Sequence, residues 1–461
     1  MIVRGAELDG TPIAALATPP GTSALAVIRV SGDDALQRVL PMLQRPDGQA
    51  VQRESFTPRL LRRLNLLAEG EVLDQAMVVF FPAPHSYTGE EVVELQLHGS
   101  PVVAHAVLEQ LRQCGFRPAQ PGEFTRRAFL NNKMDLTQAE AVAALIHSAT
   151  PRAAREAVRQ LDGTLSMRIG QARHGVLEIL AHLEAGLDFA DEDIAPWSDG
   201  GLLRAVSTVL TDLGGLLRSA QQGIRLQDGF HWVIAGRPNV GKSSLFNRML
   251  GRKRALVAPH PGTTRDCIES QVELAGMPVI LTDTAGLRVT DEPVEAEGIA
   301  VTRAQLTQAD GILLVMDAQQ GLTAADQELL TGMPDGLVIA VWNKIDLGIG
   351  ELPVLTGVEA VQVSAVTGMG FEGLERLMVA RMMPVSLEGA GALVMAVRQK
   401  EALERAVHAL AECEAWMVHG KPAEAVALPV RAALAALGEL SGEVTHDELL
   451  DRIFATFCIG K

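Results

Sequence analysis

Gly236-Arg-Pro-Asn-Val-Gly-Lys-Ser-Ser244 is the stretch whose reading decides the fold. It follows the apolar run Phe230–Ala235 and opens a segment with helical spacing. A glycine-rich loop between a strand and a helix lets backbone N–H groups approach phosphate oxygens, and the helix N-terminus favours their charge. Four more motifs follow in order: Gly262-Thr-Thr-Arg-Asp266, Asp283-Thr-Ala-Gly286, Asn343-Lys-Ile-Asp346 and Ser364-Ala365. Phe230–Ala235, Met277–Asp283, Gly311–Asp317 and Leu337–Asn343 read as buried strands alternating with helices, which predicts a mainly parallel sheet covered on both faces. One such motif alone carries little weight. Five in order, most of them at strand ends, imply a guanine-nucleotide site.

The chemistry assigns each position a role. Asn239, Val240, Gly241, Lys242, Ser243 and Ser244 form the phosphate loop, with Lys242 reaching the β- and γ-phosphates and Ser243 giving an oxygen to Mg2+. Ala258, Pro259, His260, Pro261, Gly262, Thr263 and Thr264 form the first switch, where Thr264 is the second Mg2+ ligand. Asp283 would hold a Mg2+-bound water, and the turn Thr284, Ala285, Gly286 presents an amide to the γ-phosphate. Asp346 selects the base, because its carboxylate accepts from N1–H and the exocyclic amine of guanine, and adenine offers neither donor there. Asn343 and Lys344 shape that pocket, and the backbone of Ser364 and Ala365 faces the guanine O6.

One position departs from the pattern. Ras-like GTPases place a water-orienting glutamine directly after the Asp-x-x-Gly turn, whereas this chain has Leu287. Leucine cannot orient water, so other groups must complete hydrolysis. Asn239 reads in two ways, as a residue that stabilises its loop or as a ligand for a monovalent cation that neutralises phosphate charge.

Outside the nucleotide motifs the pattern changes twice. Ile13–Ala17, Ala24–Val30, Met77–Phe81 and Val92–Leu97 read as strands, and Ala35–Leu40 and Pro101–Cys114 as helices, giving a mixed domain over 1–123. Leu136–Ser148, Ala153–Gly186 and Leu202–Gln222 make 124–225 nearly all helical, with an interruption at Pro196. The nucleotide domain occupies 226–383. Helical spacing returns over 384–461 in Ala392–Val418, Pro422–Leu437 and Thr445–Phe457, so the helical domain is split by an insertion. The sequence shows no internal repeat and no low-complexity tract.

The chain has 461 residues, a net charge of −16 and 48% hydrophobic residues. The acidic balance excludes a general nucleic-acid coat, though a local basic patch could still hold a folded RNA. Cysteines at 114, 267, 413 and 458 have no metal-ligand spacing. No apolar run approaches the roughly 20 residues of a membrane span, and the N-terminus lacks a signal-peptide core, so the expected compartment is the cytoplasm.

Further stretches carry a family resemblance. Ala17-Thr-Pro-Pro-Gly21, Ile28-Arg-Val-Ser-Gly32, Ser86–Leu95, Gly122–Lys133 and the closing Phe457-Cys-Ile-Gly-Lys461 match patterns of the MnmE (TrmE) family of tRNA modification GTPases, and the resemblance spans essentially the full length. It implies a K+-activated GTPase that dimerises through its GTPase domains. The K+ site would use Asn239, main-chain carbonyls of Ala258 and His260, and Thr263. The catalytic carboxylate would be Glu295 in switch II, with Glu292 and Glu297 as nearby rivals. The resemblance further implies an N-terminal α+β folate-binding-like domain that forms a homodimer and binds a 5-formyl- or methylene-tetrahydrofolate through Arg29, Glu94, Lys133 and Lys461. Cys458 would then face the one-carbon donor, as nucleophile, general acid or packing group. With GTP and the FAD-dependent partner MnmG, in a heterotetramer or larger complex, such a protein modifies C5 of the wobble uridine, position 34, of certain tRNAs, by a carboxymethylaminomethyl or aminomethyl group. Two other readings remain at this level: an Era-like ribosome-assembly GTPase, and a folate-responsive scaffold that uses GTP for conformational control.

Overall fold

The computed structural model describes residues 10–188, 200–252, 268–283, 309–334, 336–383, 394–443 and 447–461. It divides into two compact units, one of 1–143, 161–207 and 405–461, the other of 144–160 and 208–404.

The first unit contains a sheet of β1 (Ile13–Leu16), β2 (Leu25–Ser31), β3 (Leu43–Gln44), β4 (Arg62–Ala68), β5 (Glu71–Phe81), β6 (Val92–His98) and β7 (Arg117–Pro118), in the order β3-β4-β5-β6-β2-β1-β7. Strand alternation gives each face its task. Ile28, Val30, Val93, Leu95, Val78 and Phe80 point to one face and pack with Leu36 and Val39 of helix α1 (Ala35–Val39) and Val107 and Leu111 of α2 (Pro101–Gln113). Arg29 and Glu94 are direct cross-strand partners on the opposite face. Burial of Ile28 and Leu95 therefore fixes that pairing, because a one-residue slip of either strand would carry its own charge into the apolar core. β4 and the first half of β5 were not expected from the sequence, which placed the β5 start at Met77; the hairpin turns at Glu69–Gly70, both in the left-handed region at φ 52° and 84°.

Helices follow: α3 (Glu123–Leu130), α4 (Leu136–His147), α5 (Pro151–Leu161), α6 (Thr164–Asp188) and α7 (Gly201–Asp228). The single helix expected over Ala153–Gly186 is instead two, broken where Gly163 takes φ 84°.

The second unit holds the inserted sheet. β8 (Phe230–Ala235), α8 (Lys242–Arg252), β9 (Ile268–Leu274), β10 (Met277–Asp283), β11 (Gly311–Asp317), α9 (Ala324–Thr331), β12 (Val338–Asn343), β13 (Glu359–Gln362) and α10 (Phe371–Met382) follow one another in sequence. The sheet order is β13-β12-β11-β8-β10-β9. Its strands pair in parallel except β9, which adds an antiparallel edge through the tight turn Ala275–Gly276, both residues having positive φ. Trp232, Ile234, Leu281 and Val315 pack on one side with Leu245 and Phe246 of α8, Phe371 and Leu374 of α10 and Ala153 and Ala157 of α5. Val233, Leu314, Met316, Ala340 and Trp342 fill the other side. This is the two-faced burial that continuous apolar strands require.

The chain ends in α11 (Val397–Val418), α12 (Ala423–Ser441) and α13 (Asp447–Ala455). In the first unit Leu450, Phe454 and Phe457 pack on Leu136, Ala139 and Val142. The architecture is thus an N-terminal α+β domain, a helical domain discontinuous in sequence, and an inserted P-loop domain.

Candidate functional site

All the described nucleotide motifs emerge at the C-terminal edge of the parallel sheet, where ligands bind in open α/β folds. β8 runs into the phosphate loop, β10 ends at Asp283, and β11 and β12 end side by side as Asp317 and Asn343. The loop needs unusual backbone: Gly236, Asn239 and Gly241 have φ of 141°, 64° and 97°. A Cβ on Gly236 would sit 2.3 Å from Val315 O, and one on Gly241 would sit 2.3 Å from Asn343 Nδ2. Lys242, 8% exposed, donates from Nζ to Gly236 O at 2.9 Å and Arg237 O at 2.8 Å, so its charge is held at the mouth of the loop.

Ser243 Oγ donates to Asp283 Oδ2 at 2.9 Å. This brings together two hard oxygens from motifs 40 residues apart, a donor set suited to Mg2+. Asn343 locks the base motif to the loop: its Nδ2 donates to Val240 O at 2.9 Å and its Oδ1 accepts from Ala365 N at 3.0 Å. That Ala365 amide, expected at the guanine O6, thus serves Asn343 in this structure. Ser364 Oγ donates to Asp346 Oδ1 at 2.5 Å, which fixes the carboxylate expected from the sequence to read the base. Lys344 adopts φ 67° and its Nζ lies 2.9 Å from Asp317 Oδ2. Burial pushes the Asp317 carboxyl up, but Lys344 and the Gln319 N–H outweigh it and hold it below the ordinary carboxylate value. Val240 is buried and Ser244 exposed beside these groups. Ala258, Pro259, His260, Pro261, Gly262, Thr263, Thr264, Thr284, Ala285, Gly286, Leu287 and Glu295, with Glu292 and Glu297, lie outside the described residues.

A second polar site lies on the β2/β6 face of the first unit. Arg29 Nε and Nη2 lie 2.9 and 2.8 Å from Glu94 Oε1. The guanidinium sits over the rings of Tyr87 and Phe124, 5.5 and 5.8 Å from their centroids, within cation–π range. The C-terminal residues return to this face. Arg29 Nη1 donates to Gly460 O at 3.5 Å, Phe124 N to Lys461 O at 3.2 Å and Gly122 N to Cys458 O at 3.4 Å. Gly460, at φ 94°, is required there because a Cβ would meet Leu16 O at 2.6 Å. Burial and the neighbouring Arg29 charge lower the Lys461 pKa, partly offset by Glu94 and Cys458. The Cys458 side chain is exposed. Lys133 is turned elsewhere: its Nζ donates to Pro84 O at 3.0 Å. The sequence thus brings Arg29, Glu94 and Lys461 together and leaves Lys133 on an adjoining loop.

Sequence reasoning missed the support beneath this site. Arg127, 1% exposed, pairs with Glu123 at 2.9 Å and Glu90 at 3.1 Å, and Glu90 accepts from Ser31 Oγ at 2.7 Å. The readable signal was the Glu-Phe-Thr-Arg-Arg spacing, which puts Glu123 and Arg127 one helical turn apart.

Two family models match the chain: "MnmE helical domain" over residues 136–458 and "GTP-binding protein TrmE N-terminus" over residues 12–133. Relatives named tRNA modification GTPase MnmE include one from Magnetococcus marinus, 44% identical over 97% of this chain and 97% of the relative. Another, from Symbiobacterium thermophilum, is 44% identical over 97% and 99%. A third, from Aquifex aeolicus, is 41% identical over 98% and 99%.

Proposed function

The chain belongs to the MnmE family of tRNA modification GTPases, and on that premise we propose that it couples GTP hydrolysis to modification of the wobble uridine of certain tRNAs. It does so in the cytoplasm as a homodimer, with the FAD-dependent MnmG in a heterotetramer or larger complex. The observation that supports the GTP reading best is the closure made by Asn343, which ties Val240 of the phosphate loop to Ala365 and leaves Asp346 beside Ser364 to accept from guanine.

Lys242 binds phosphate oxygens from its place under the loop carbonyls. Ser243, with Thr264, would hold Mg2+, and Asp283 its water; the ion supplies charge neutralisation at the phosphates. Asn239, already left-handed at φ 64° and exposed, would hold K+ with the carbonyls of Ala258 and His260 and with Thr263; K+ supplies the charge that an arginine finger gives elsewhere. Glu295 orients the attacking water in place of the glutamine that Leu287 replaces.

On the second site, Glu94 would accept from a pterin, and Arg29 and Lys461 suit anionic groups. A tetrahydrofolate bound there, with Lys133 reaching in from its loop, supplies the one-carbon unit. Cys458, exposed near Lys461, would serve there as nucleophile, general acid or packing group. The domains divide at 123, 225 and 383.

The decisive test is GTP turnover in KCl against NaCl at matched ionic strength. Faster turnover in KCl is expected, and equal rates would remove the cation from the reading. Normal hydrolysis by Glu295→Ala would remove that residue from its role. Titration with 5-formyl-tetrahydrofolate should show binding that is lost in Arg29→Ala; unchanged binding would dismiss the second site.

A further inference from the structure

The connection between β11 and α9 belongs to none of the five nucleotide motifs, yet its side chains reach two of them. Asp317 closes β11, is 3% exposed, and holds the Lys344 ammonium at 2.9 Å. Its other oxygen accepts from Gln319 N at 3.0 Å, which fixes the carboxylate plane. Asp326, fully buried, lies 2.7 Å from Nε of Arg237, the second residue of the phosphate loop. Its position is set in turn by a capping box with Thr323. Gln320 stands between the two: its Oε1 accepts from Arg237 Nη2 at 3.3 Å and its Nε2 donates to Asp317 Oδ2 at 3.5 Å. A continuous polar chain therefore runs Lys344–Asp317–Gln320–Arg237–Asp326.

The two ends of that chain do different work. Lys344 immediately follows Asn343 and precedes the base-reading Asp346, and its left-handed backbone throws its side chain toward β11. Arg237 carries the carbonyl that accepts from Lys242 Nζ at 2.8 Å. We propose that Asp317, Gln320 and Asp326 form a brace that positions the phosphate loop relative to the guanine-reading segment, so that they act as positioning residues for GTP and GDP. Asp326 also neutralises Arg237. The phosphate loop then presents Lys242 as its working cation, and Arg237 is kept from competing for phosphate oxygens. A charge-assisted bond in a desolvated place contributes enough that losing one should be visible in affinity.

The inference rests on the nucleotide site described above. Its test is the dissociation constant of fluorescently labelled GDP, measured on the full chain for wild type, Asp317→Asn and Gln320→Ala. Steady-state GTPase kinetics accompany it. Asp317→Asn should weaken binding about tenfold and raise KM in step, with kcat changed less than twofold. Gln320 is exposed, so Gln320→Ala cannot simply unfold the protein; it should weaken binding about twofold to fivefold at an unchanged melting temperature. The effects should be less than additive in the double variant, because both act through one chain of bonds. Unchanged dissociation constants in both variants, or a loss of kcat with affinity intact, would overturn the brace. Failure of the wild type to bind labelled GDP would instead overturn the nucleotide site itself.

Discussion

Replacing Arg127 by methionine removes the most buried charge among the described residues of the first unit and keeps the bulk of its stem. The arginine side chain is 1% exposed. It donates to both Glu90 oxygens at 3.1 Å, to Glu123 Oε1 at 2.9 Å and to Thr11 O at 2.8 Å. Glu123, 3% exposed, would be left with Arg117 at 2.6 Å as its remaining cation. Breaking a buried pair costs about 3–5 kcal/mol because a desolvated charge stays behind. Retention of Arg117 puts the expected loss at about 3 kcal/mol. For a unit of roughly 150–250 residues that lowers its melting temperature by about 6–12 °C. The neighbouring Arg126 supplies an internal control: it is itself 15% exposed, but the partner it would leave behind, Asp451 2.8 Å away, is 62% exposed and stays solvated, so Arg126→Met should cost about 1 kcal/mol or less. Differential scanning calorimetry of the full chain compares the two. Equal shifts for the adjacent arginines would refute the argument that burial, rather than charge count, sets the cost.

Three other outcomes are expected. Gly241→Ala forces a Cβ to 2.3 Å from Asn343 Nδ2 at a backbone φ of 97°; labelled-GDP affinity should fall at least about tenfold, and a value near wild type would show that the loop can relax. Gly460→Ala should push the C-terminal residues off Leu16 O, so the Gly122 and Phe124 amides that donate to Cys458 O and Lys461 O should exchange with deuterium faster; unchanged protection would contradict that docking. Glu94→Gln deletes a charge that raises the Lys461 pKa against burial and Arg29, so the lysine should titrate at still lower pH in an NMR titration, and no movement would mean the two groups do not sense each other.

The nucleotide domain was legible because its motifs encode backbone constraints. Glycines at 236 and 241 stand where a Cβ has no room, and the strands that deliver the motifs are mostly apolar. The unread elements lack that signature. β4 opens with two arginines and buries Asn65, which hides its alternation. β9 is an edge strand whose sequence Ile-Glu-Ser-Gln-Val-Glu-Leu is mostly polar, and β13 has only four residues, none fully buried. Regular spacing across residues 153–186 concealed the break at Gly163, because both flanking helices carry apolar residues at three- and four-residue spacing. At the second site the sequence supplied Arg29 and Glu94 but no reason to pair them. That pairing comes from strand register, a tertiary property set by burial of Ile28 and Leu95.

The Asn-Lys-Ile-Asp spacing has a mechanical reason in this structure. Position 343 must both donate and accept: an aspartate could not give a proton to Val240 O, and a serine could not span to Ala365 N, whereas a carboxamide does both at 2.9 and 3.0 Å. Asn343 still lies in β12, so its side chain direction is fixed by the pleat. Lys344 then turns left-handed, which ends the strand and sends its side chain sideways to Asp317. One residue further the short 3-10 turn Ile345–Leu347 brings Asp346 round to Ser364. The polar side chains of the segment thus reach three others: Asn343 the phosphate loop and the 364–365 turn, Lys344 the end of β11, and Asp346 the 364–365 turn. Ile345 between them, packed with the apolar cluster under the sheet, sets the count. Inserting or deleting one residue would leave the carboxylate unable to share a pocket with the asparagine, so the spacing itself, as much as the residue types, sets the geometry proposed to read guanine.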